Sequence, residues 1–416
     1  MNAAAGYPPS WRPAMLADIC ERPEYGLTAR ASNEAVGPRF VRITDIQEGG
    51  VDWSRVPSCE CDETAHDKLA LRAGDLLIAR IGGTTGKALL VRDCPDAVFA
   101  SYLIRIRARG VDPAFLFYFT QSSRYWQQIN ARKGDKLKGG VSASVLSDIS
   151  LMMPKPEEQK GIAAALFRLE SRLLLERGRA ATLRELKTAT MAKLFREGLR
   201  GEQLKQTEIG EIPESWSTNT IGELIADARY GLSLKGEKSG KHPILRMNCQ
   251  DDGDVVFRDL QYVDLDGATF DRFAIQPDDL LFNRTNSFEL VGRTAIVRTT
   301  RSAVFASYLI RLRLRTGEME PRFLNYYLNL PSAQLRLKGL ATRGVSQSNI
   351  SASKLRGFEV PVPPVREQRE IADQLDAVSS AVRTAKRRHH HLTTLFSAAL
   401  QALMTGALRL PEFRDA

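Results

Sequence analysis

Two stretches of the chain share one alternation of apolar and polar positions. In the first, the apolar positions are Ile162, Leu166, Leu169, Leu173, Ala180, Leu183 and Leu194. In the second they are Ile371, Leu375, Val378, Val382, Ala385, Leu392, Phe396, Ala399 and Leu403. Steps of mostly four and three residues place them on one helical seam, the a/d spacing of a coiled coil. Pro156 followed by Glu157 and Glu158 suits a helix start, where a missing N–H and negative charge are both welcome. Gly198, Gly201 and Gly406 suit the ends. Gly178, worse than Ala inside a helix by roughly 1 kcal/mol, marks a bend or a close approach. Roughly 40 residues at about 1.5 Å each predicts rods of about 60 Å. Two such rods with matching seams are expected to pair antiparallel, leaving one globular unit at each end.

Outside the rods the period changes. Phe40–Ile46, Asp75–Ile81 and Tyr102–Arg107 are short runs rich in β-branched and aromatic residues, bounded by Gly, Pro and Asp, and read as strands. Helical patterns cover Asp112–Gln127 and Pro321–Leu337. Each globular unit is therefore expected to be α+β.

The chain is also written twice. VFASYLIRIR at 98–107 returns as VFASYLIRLR at 304–313, a gap of 206 residues. PPSW at 8–11 answers PESW at 213–216, and Tyr25-Gly26-Leu27 answers Tyr230-Gly231-Leu232. AGDLLIAR at 73–80 answers PDDLLFNR at 277–284, and Gly140-Val141-Ser142 is matched with Gly344-Val345-Ser346. Small changes of offset mark loop insertions. Beyond residue 154 the offset holds at 209, so that PKPEEQKGIA aligns with PPVREQREIA and Arg200 with Arg409. The duplication divides the chain into a globular unit over 1–153, a long helix over 154–201 and a linker over 202–212, polar and expected to be exposed. A second unit over 213–362, a second long helix over 363–410 and a tail over 411–416 follow. The fold class is α+β: two tandem globular units separated by two repeated helices, with an internal pseudo-twofold axis.

Composition narrows the partner. The net charge of +10 and pI near 9.4 point to a polyanion, nucleic acid first. No apolar run of about 18 residues exists, so no membrane span is expected. The segment MNAAAGYPPSWRP lacks the pattern of a secretory signal. Five scattered cysteines fit a reducing cytoplasm.

Catalytic constellations fail one by one. GGTTGKA at 82–88 has the wrong spacing for a phosphate loop, and Ala88 stands where a magnesium-binding Ser or Thr is required. Cys59 and Cys61 near His66 lack standard zinc spacing and have no counterpart in the second half. Glu158/Lys160 and Glu185/Lys187 lie on the rods, where charged faces are expected, and His389-His390-His391 reads as a solvated helix stripe. No catalytic residue, metal ligand or bound cofactor is expected in this chain.

What remains is a set of basic, polar loops beside the shared strands. In the first unit Arg80 precedes Thr84, Thr85 and Lys87; in the second Arg284 precedes Asn286, Ser287 and Arg293. Arg and Lys suit guanine edges and Asn suits adenine. A further loop carries Arg132, Lys133, Lys136, Lys138 and Ser142, set against Arg336, Lys338, Arg343, Ser346 and Gln347. These suit phosphate contacts. Shared strands with divergent loops suggest one scaffold reading two DNA sequences.

This layout resembles the specificity subunit of a type I restriction–modification system. The resemblance spans nearly the whole chain. It rests on the tandem units, the Pro-x-x-x-Glu-Gln helix starts at Pro154–Gln159 and Pro363–Gln368, and the helix exits LFREGLRGE (194–202) and LMTGALRL (403–410). The linker TEIGEIPESW (207–216) is the most family-like stretch. The resemblance implies two target-recognition domains, each reading half of a split site on double-stranded DNA. It implies paired helices that act as a ruler and as a dock for two copies of a DNA adenine methyltransferase, joined in the complete complex by translocase–nuclease subunits. S-adenosylmethionine, ATP and Mg²⁺ would then belong to those partners. A stand-alone DNA-binding regulator, or the recognition part of a split bifunctional restriction enzyme, shares much of this layout. Methyltransferase and helicase sequences in adjoining reading frames would separate them.

Overall fold

The structure is a computed structural model that describes residues 6–47, 49–132, 140–344 and 347–413. It contains two compact units, Met1–Gly178 with Ala385–Ala416, and Arg179–Thr384. Both are α+β, and each takes in one portion of each long helix.

In the first unit Glu24–Tyr25, Leu103–Arg107, Asp75–Ala79 and Ala88–Leu90 form an antiparallel sheet in that order. Every residue of Asp75–Ala79 is buried because both faces of the sheet are covered. Leu76, Ile78, Ile104 and Ile106 face a cluster with the helix Pro113–Gln121, whereas Leu77, Ala79 and Leu103 pack on Phe40, Val41, Val98 and Phe99. The second unit repeats the plan with Ile225–Tyr230, Leu309–Leu314, Leu280–Asn283 and Thr294–Ile296, extended by Asp254–Val255 and Gln250–Asp251. The last five residues of the repeated decapeptide thus lie in a central strand in both units, whereas its first two lie in a separate short strand, Ala97–Phe99 and Val304–Phe305.

Its arginines are structural. Arg107 is held by both carboxylate oxygens of buried Asp75 at 2.7 and 2.9 Å, and Arg313 by those of buried Asp279 at 2.7 and 3.2 Å. Arg105, also buried, donates to the carbonyls of Ala70 and Lys68 and to Glu24, with Phe99 beneath it. Arg311 donates to the Ala274 carbonyl and to Asp227, over Phe305. Each buried cation is matched, as burial requires.

The long helices run Pro156–Glu197 and Val365–Met404. Within the first unit Ile162, Ala163 and Leu166 share a buried cluster with Leu400, Leu403 and Met404. Within the second, Met191, Leu194 and Phe195 do so with Ile371, Ala372 and Leu375. Val382 is buried, and Leu169, Leu173, Leu183, Val378, Leu392 and Phe396 are half-buried, so the seam positions turn inward. A Cβ on Gly178 would meet no described atom within 4 Å, so that glycine serves no close approach.

The Glu-Gln pair at each helix start has a defined task. Gln159 accepts from the Asp112 amide at 2.8 Å and donates to the Pro154 carbonyl; Gln368 accepts from the Glu320 amide at 2.7 Å and donates to the Pro363 carbonyl. Each glutamine ties its long helix to the start of a domain helix. Glu158 accepts from Trp11 and from Arg409 at 2.9 Å, beyond the end of the other long helix. Glu367 likewise accepts from the Leu199 amide at 2.9 Å and pairs with Arg200 at 3.4 Å.

Three expectations are corrected. The helical pattern over 112–127 is two helices, Pro113–Gln121 and Ser123–Arg132, because Ser122 is extended and turns its hydroxyl to the Phe119 carbonyl. The pattern over 321–337 breaks at Pro331, which begins a new helix, Pro331–Gly339. The linker folds as a hairpin, Leu204–Thr207 with Gly210–Pro213, whose Ile209 and Ile212 join the second unit's core.

Replacing Gln368 with Ala strands the Glu320 amide and the buried Pro363 carbonyl. We expect a loss of about 2–4 kcal/mol in urea unfolding. An unchanged midpoint would sink the assignment of this glutamine as a tie.

Candidate nucleic-acid interface

The loops expected to meet DNA hang from the ends of the central strands. In the first unit the turn after Ala79 is tight. The amide of Thr85 donates to the Gly82 carbonyl, Gly86 to Ala79 and Lys87 to Thr84. These three N–H groups are spent within the turn. Thr85 is buried, and its hydroxyl donates to the Gly82 carbonyl at 2.7 Å. Lys87 is exposed and Thr84 half-buried.

In the second unit the equivalent turn is longer and carries its own small sheet. Gly292 and Arg293 bond Asn283 as Gly86 and Lys87 bond Ala79, so Arg293 does stand in the place of Lys87. Thr285–Asn286 pairs with Ser348–Asn349, which also pairs with Thr342–Arg343. Phe288 projects from this turn, with the Arg343 guanidinium 4.1 Å and the Lys338 ammonium 6.0 Å from its ring centre. Ser287, Phe288, Glu289, Arg343, Gly344, Gln347 and Ser348 line a shallow concavity there. The structure therefore brings Ser287, Lys338, Arg343 and Gln347 together around an aromatic ring that the sequence reading did not single out.

Other expected contact residues do different work. Arg336 donates to the Tyr327 hydroxyl and the Glu359 carbonyl and lies over Phe358, a role inside the protein. Ser142 caps the helix Ala143–Ser147 by accepting from the Val145 amide. Arg132 is exposed and donates to the Gln128 and Asp148 carbonyls. Lys133, Lys136, Lys138 and Ser346 lie outside the described residues.

The match of Ser142 with Ser346 is displaced. Ser351 caps Ala352–Arg356 as Ser142 caps its helix, and Ile350 donates to the Arg284 carbonyl as Val141 does to that of Arg80. The repeated Ser-Ala-Ser at 142–144 and 351–353 was the better signal, already at the offset of the long helices.

One cluster is common to both units. The Arg80 guanidinium lies 4.7 Å from the Tyr25 ring centre and donates to the Ser101 carbonyl, while its amide donates to the Tyr102 carbonyl. Arg284 lies 4.8 Å from the Tyr230 ring centre, donates to the Ser307 carbonyl and, through its amide, to that of Tyr308. The Tyr25 hydroxyl accepts from the Ala143 amide at 3.0 Å and that of Tyr230 from Ala352 at 2.8 Å. Gly26 and Gly231 make this possible: a Cβ would fall 2.2 and 2.3 Å from the Phe99 and Phe305 carbonyl oxygens.

Among the described residues, Cys59, Cys61 and His66 do not form a group of three that could hold a metal ion. Burial, and less so Cys61, pushes the Cys59 thiol up to about 11. His66 lies 2.6 Å from Asp96, whose hydrogen bond raises its pKa. Among the described residues no helix is long and apolar enough to cross a membrane.

The profile of the type I restriction modification DNA specificity domain matches residues 10–185 and again 213–394. The chain belongs to this family. It is a DNA-binding specificity subunit of a type I restriction–modification system. Among specificity subunits of known systems, that of the EcoKI enzyme of Escherichia coli K12 is 25% identical over 393 residues, covering 89% of this chain and 81% of the relative. That of StySPI from Salmonella potsdam is 23% identical over 385 residues with the same coverage. The crystal structure of the S subunit from M. genitalium matches with a TM-score of 0.64 at 15% identity, covering 97% of this chain and 98% of that one. A chain from a structure describing assembly and conformational transition of the type I R-M system matches at 0.52, with 20% identity and coverage of 97% and 99%. These likenesses support the two-domain α+β fold.

For this specificity subunit, Thr85→Val keeps the side-chain shape but removes the bond to Gly82. It should cost about 1 kcal/mol in thermal unfolding, whereas Lys87→Ala should leave the midpoint where it was. Equal effects would mean that the buried hydroxyl does not hold the turn.

Proposed function

We propose that each globular unit reads one half of a split, non-palindromic site on double-stranded DNA. The observation that carries this reading is the contrast between scaffold and loop. Strands, buried arginines and capping serines coincide between the units, while the turn over 81–87 is compact and that over 285–293 builds a sheet and presents Phe288. Two identical readers would demand a symmetric site; two different loops on one scaffold suit two different half-sites.

On this reading the long helices pair as an antiparallel coiled coil, set the spacing between the half-sites, and dock two copies of a DNA adenine methyltransferase. Restriction subunits with translocase activity complete the complex. S-adenosylmethionine, ATP and Mg²⁺ are bound by those partners, the specificity subunit contributes no catalysis, and the complex works in the cytoplasm. Within the second loop cluster Arg293, Arg343 and Lys338 supply positive charge, and Asn286, Ser287 and Gln347 supply hydrogen-bonding groups suited to base edges. Thr84 and Lys87 do so in the first.

Single-molecule methylome sequencing tests the reading. Cells carrying the system should show one bipartite methylated motif that disappears when this chain is deleted, and the chain should co-purify with the methyltransferase. Exchanging residues 284–293 should alter one half of the motif only. Methylation that survives the deletion, or a change in both halves, would overturn it.

A further inference from the structure

We propose that the cluster common to both units, Tyr25, Arg80 and Tyr102 in one and Tyr230, Arg284 and Tyr308 in the other, grips the phosphodiester backbone of the duplex without reading sequence. This rests on the DNA-recognition reading above and assigns the shared residues a different duty from the loops.

The first observation is exposure. Tyr102 and Tyr308 are 54% and 41% exposed, although the next residues, Leu103 and Leu309, are fully buried. The amides of Leu103 and Leu309 donate back to the carbonyls of Ala100 and Ala306, so each tyrosine sits on the corner of a turn and faces solvent. Tyr25 and Tyr230 are each 42% exposed as well. A folding requirement does not explain the exposed rings of Tyr102 and Tyr308, since a ring at a turn corner buries little apolar surface, whereas Tyr25 and Tyr230 also hold the Ala143 and Ala352 amides.

The second is charge with fixed direction. Each arginine is held by a tyrosine ring, by a turn carbonyl and through its own backbone amide, and Arg284 donates in addition to the Asn349 side chain at 3.1 Å. Arg80 and Arg284 remain half-buried rather than enclosed. No carboxylate is bonded to either guanidinium among the described contacts, in contrast to Arg107 and Arg313. A cation stacked on a ring and anchored at one edge is pre-organised for a single anionic oxygen, with little side-chain entropy left to lose. Tyrosine hydroxyls are suitable additional donors to phosphate.

The third is the duplication itself. If the units read different half-sites, a feature identical in both has to meet what is identical in both halves of the DNA. That is the sugar–phosphate backbone.

The full-length chain is titrated by fluorescence anisotropy against two duplexes, one carrying the motif methylated in cells and one scrambled, from about 50 to 200 mM KCl. Arg80→Gln and Arg284→Gln should each weaken binding to both duplexes by the same factor, about 3- to 10-fold. Each should also reduce the slope of log Kd against log salt by about one. The conservative Arg80→Lys and Arg284→Lys variants should restore the slope, and the methylated motif should be unchanged. Tyr102→Ala and Tyr308→Ala, which remove only exposed rings, should weaken both duplexes equally and leave the urea midpoint unaltered; they decide the matter if an arginine variant fails to fold. A changed base at one half-site would show base reading instead, and an unchanged slope or affinity would show a structural role; either overturns the proposal. Failure of the wild-type chain to prefer the motif duplex would count against the half-site reading, while the slope on the scrambled duplex still decides this one.

Discussion

Each long helix starts on a buried carboxylate that the far end of the other long helix neutralises. Glu158 is closed by Arg409 with Trp11, and Glu367 by Arg200 with the Leu199 amide. A buried carboxylate left without such partners costs several kcal/mol. The first unit is therefore incomplete until residues far along the chain arrive. This is why it comprises Met1–Gly178 together with Ala385–Ala416 rather than one continuous segment. The adjacent Gln159 and Gln368 then seat each helix on its own domain through the amides of Asp112 and Glu320. Two consecutive residues do two jobs, and the pair recurs in both halves because both jobs do.

With the helix starts held, the central strands can be placed and the loops can vary. The strands Asp75–Ala79 and Leu280–Asn283 are covered on both faces, and buried Asp75 and Asp279 orient the arginines of the repeated strand. Such a core tolerates little change. The turns at the strand ends carry few packing obligations, so one is a tight turn sealed by Thr85 and the other a small sheet around Phe288. A rigid scaffold with free turns is the physical basis for placing recognition on loops. Not every basic loop residue is available for it, as Arg336 shows.

Much of this was legible in the residues. The seam of the long helices follows from apolar spacing, and the second half of the repeated decapeptide is a central strand as its β-rich, apolar character implied, while its first two residues lie in a separate strand across a turn. The Ser142–Ser346 match was misleading because a shared Gly-Val-Ser triplet outweighed the Ser-Ala-Ser that caps both helices. Tyr102 and Tyr308 were absorbed into the strand pattern, since a tyrosine beside apolar residues has no local mark of facing out. Phe288 carries no mark in the sequence that sets it apart from other loop residues, because its place beside Arg343 and Lys338 exists only in the folded chain.

Periodicity and repetition are local properties, and they were enough to determine the family, the tandem α+β units and the long helices. Which polar groups are consumed is decided by neighbours distant in the chain. Thr85, Arg105 and Arg336 differ from Thr84, Arg80 and Arg343 only in what the fold brings against them. Hydrogen bonds and burial set availability through three-dimensional proximity, and proximity between residues 158 and 409 or 284 and 349 exists only once the tertiary structure has formed.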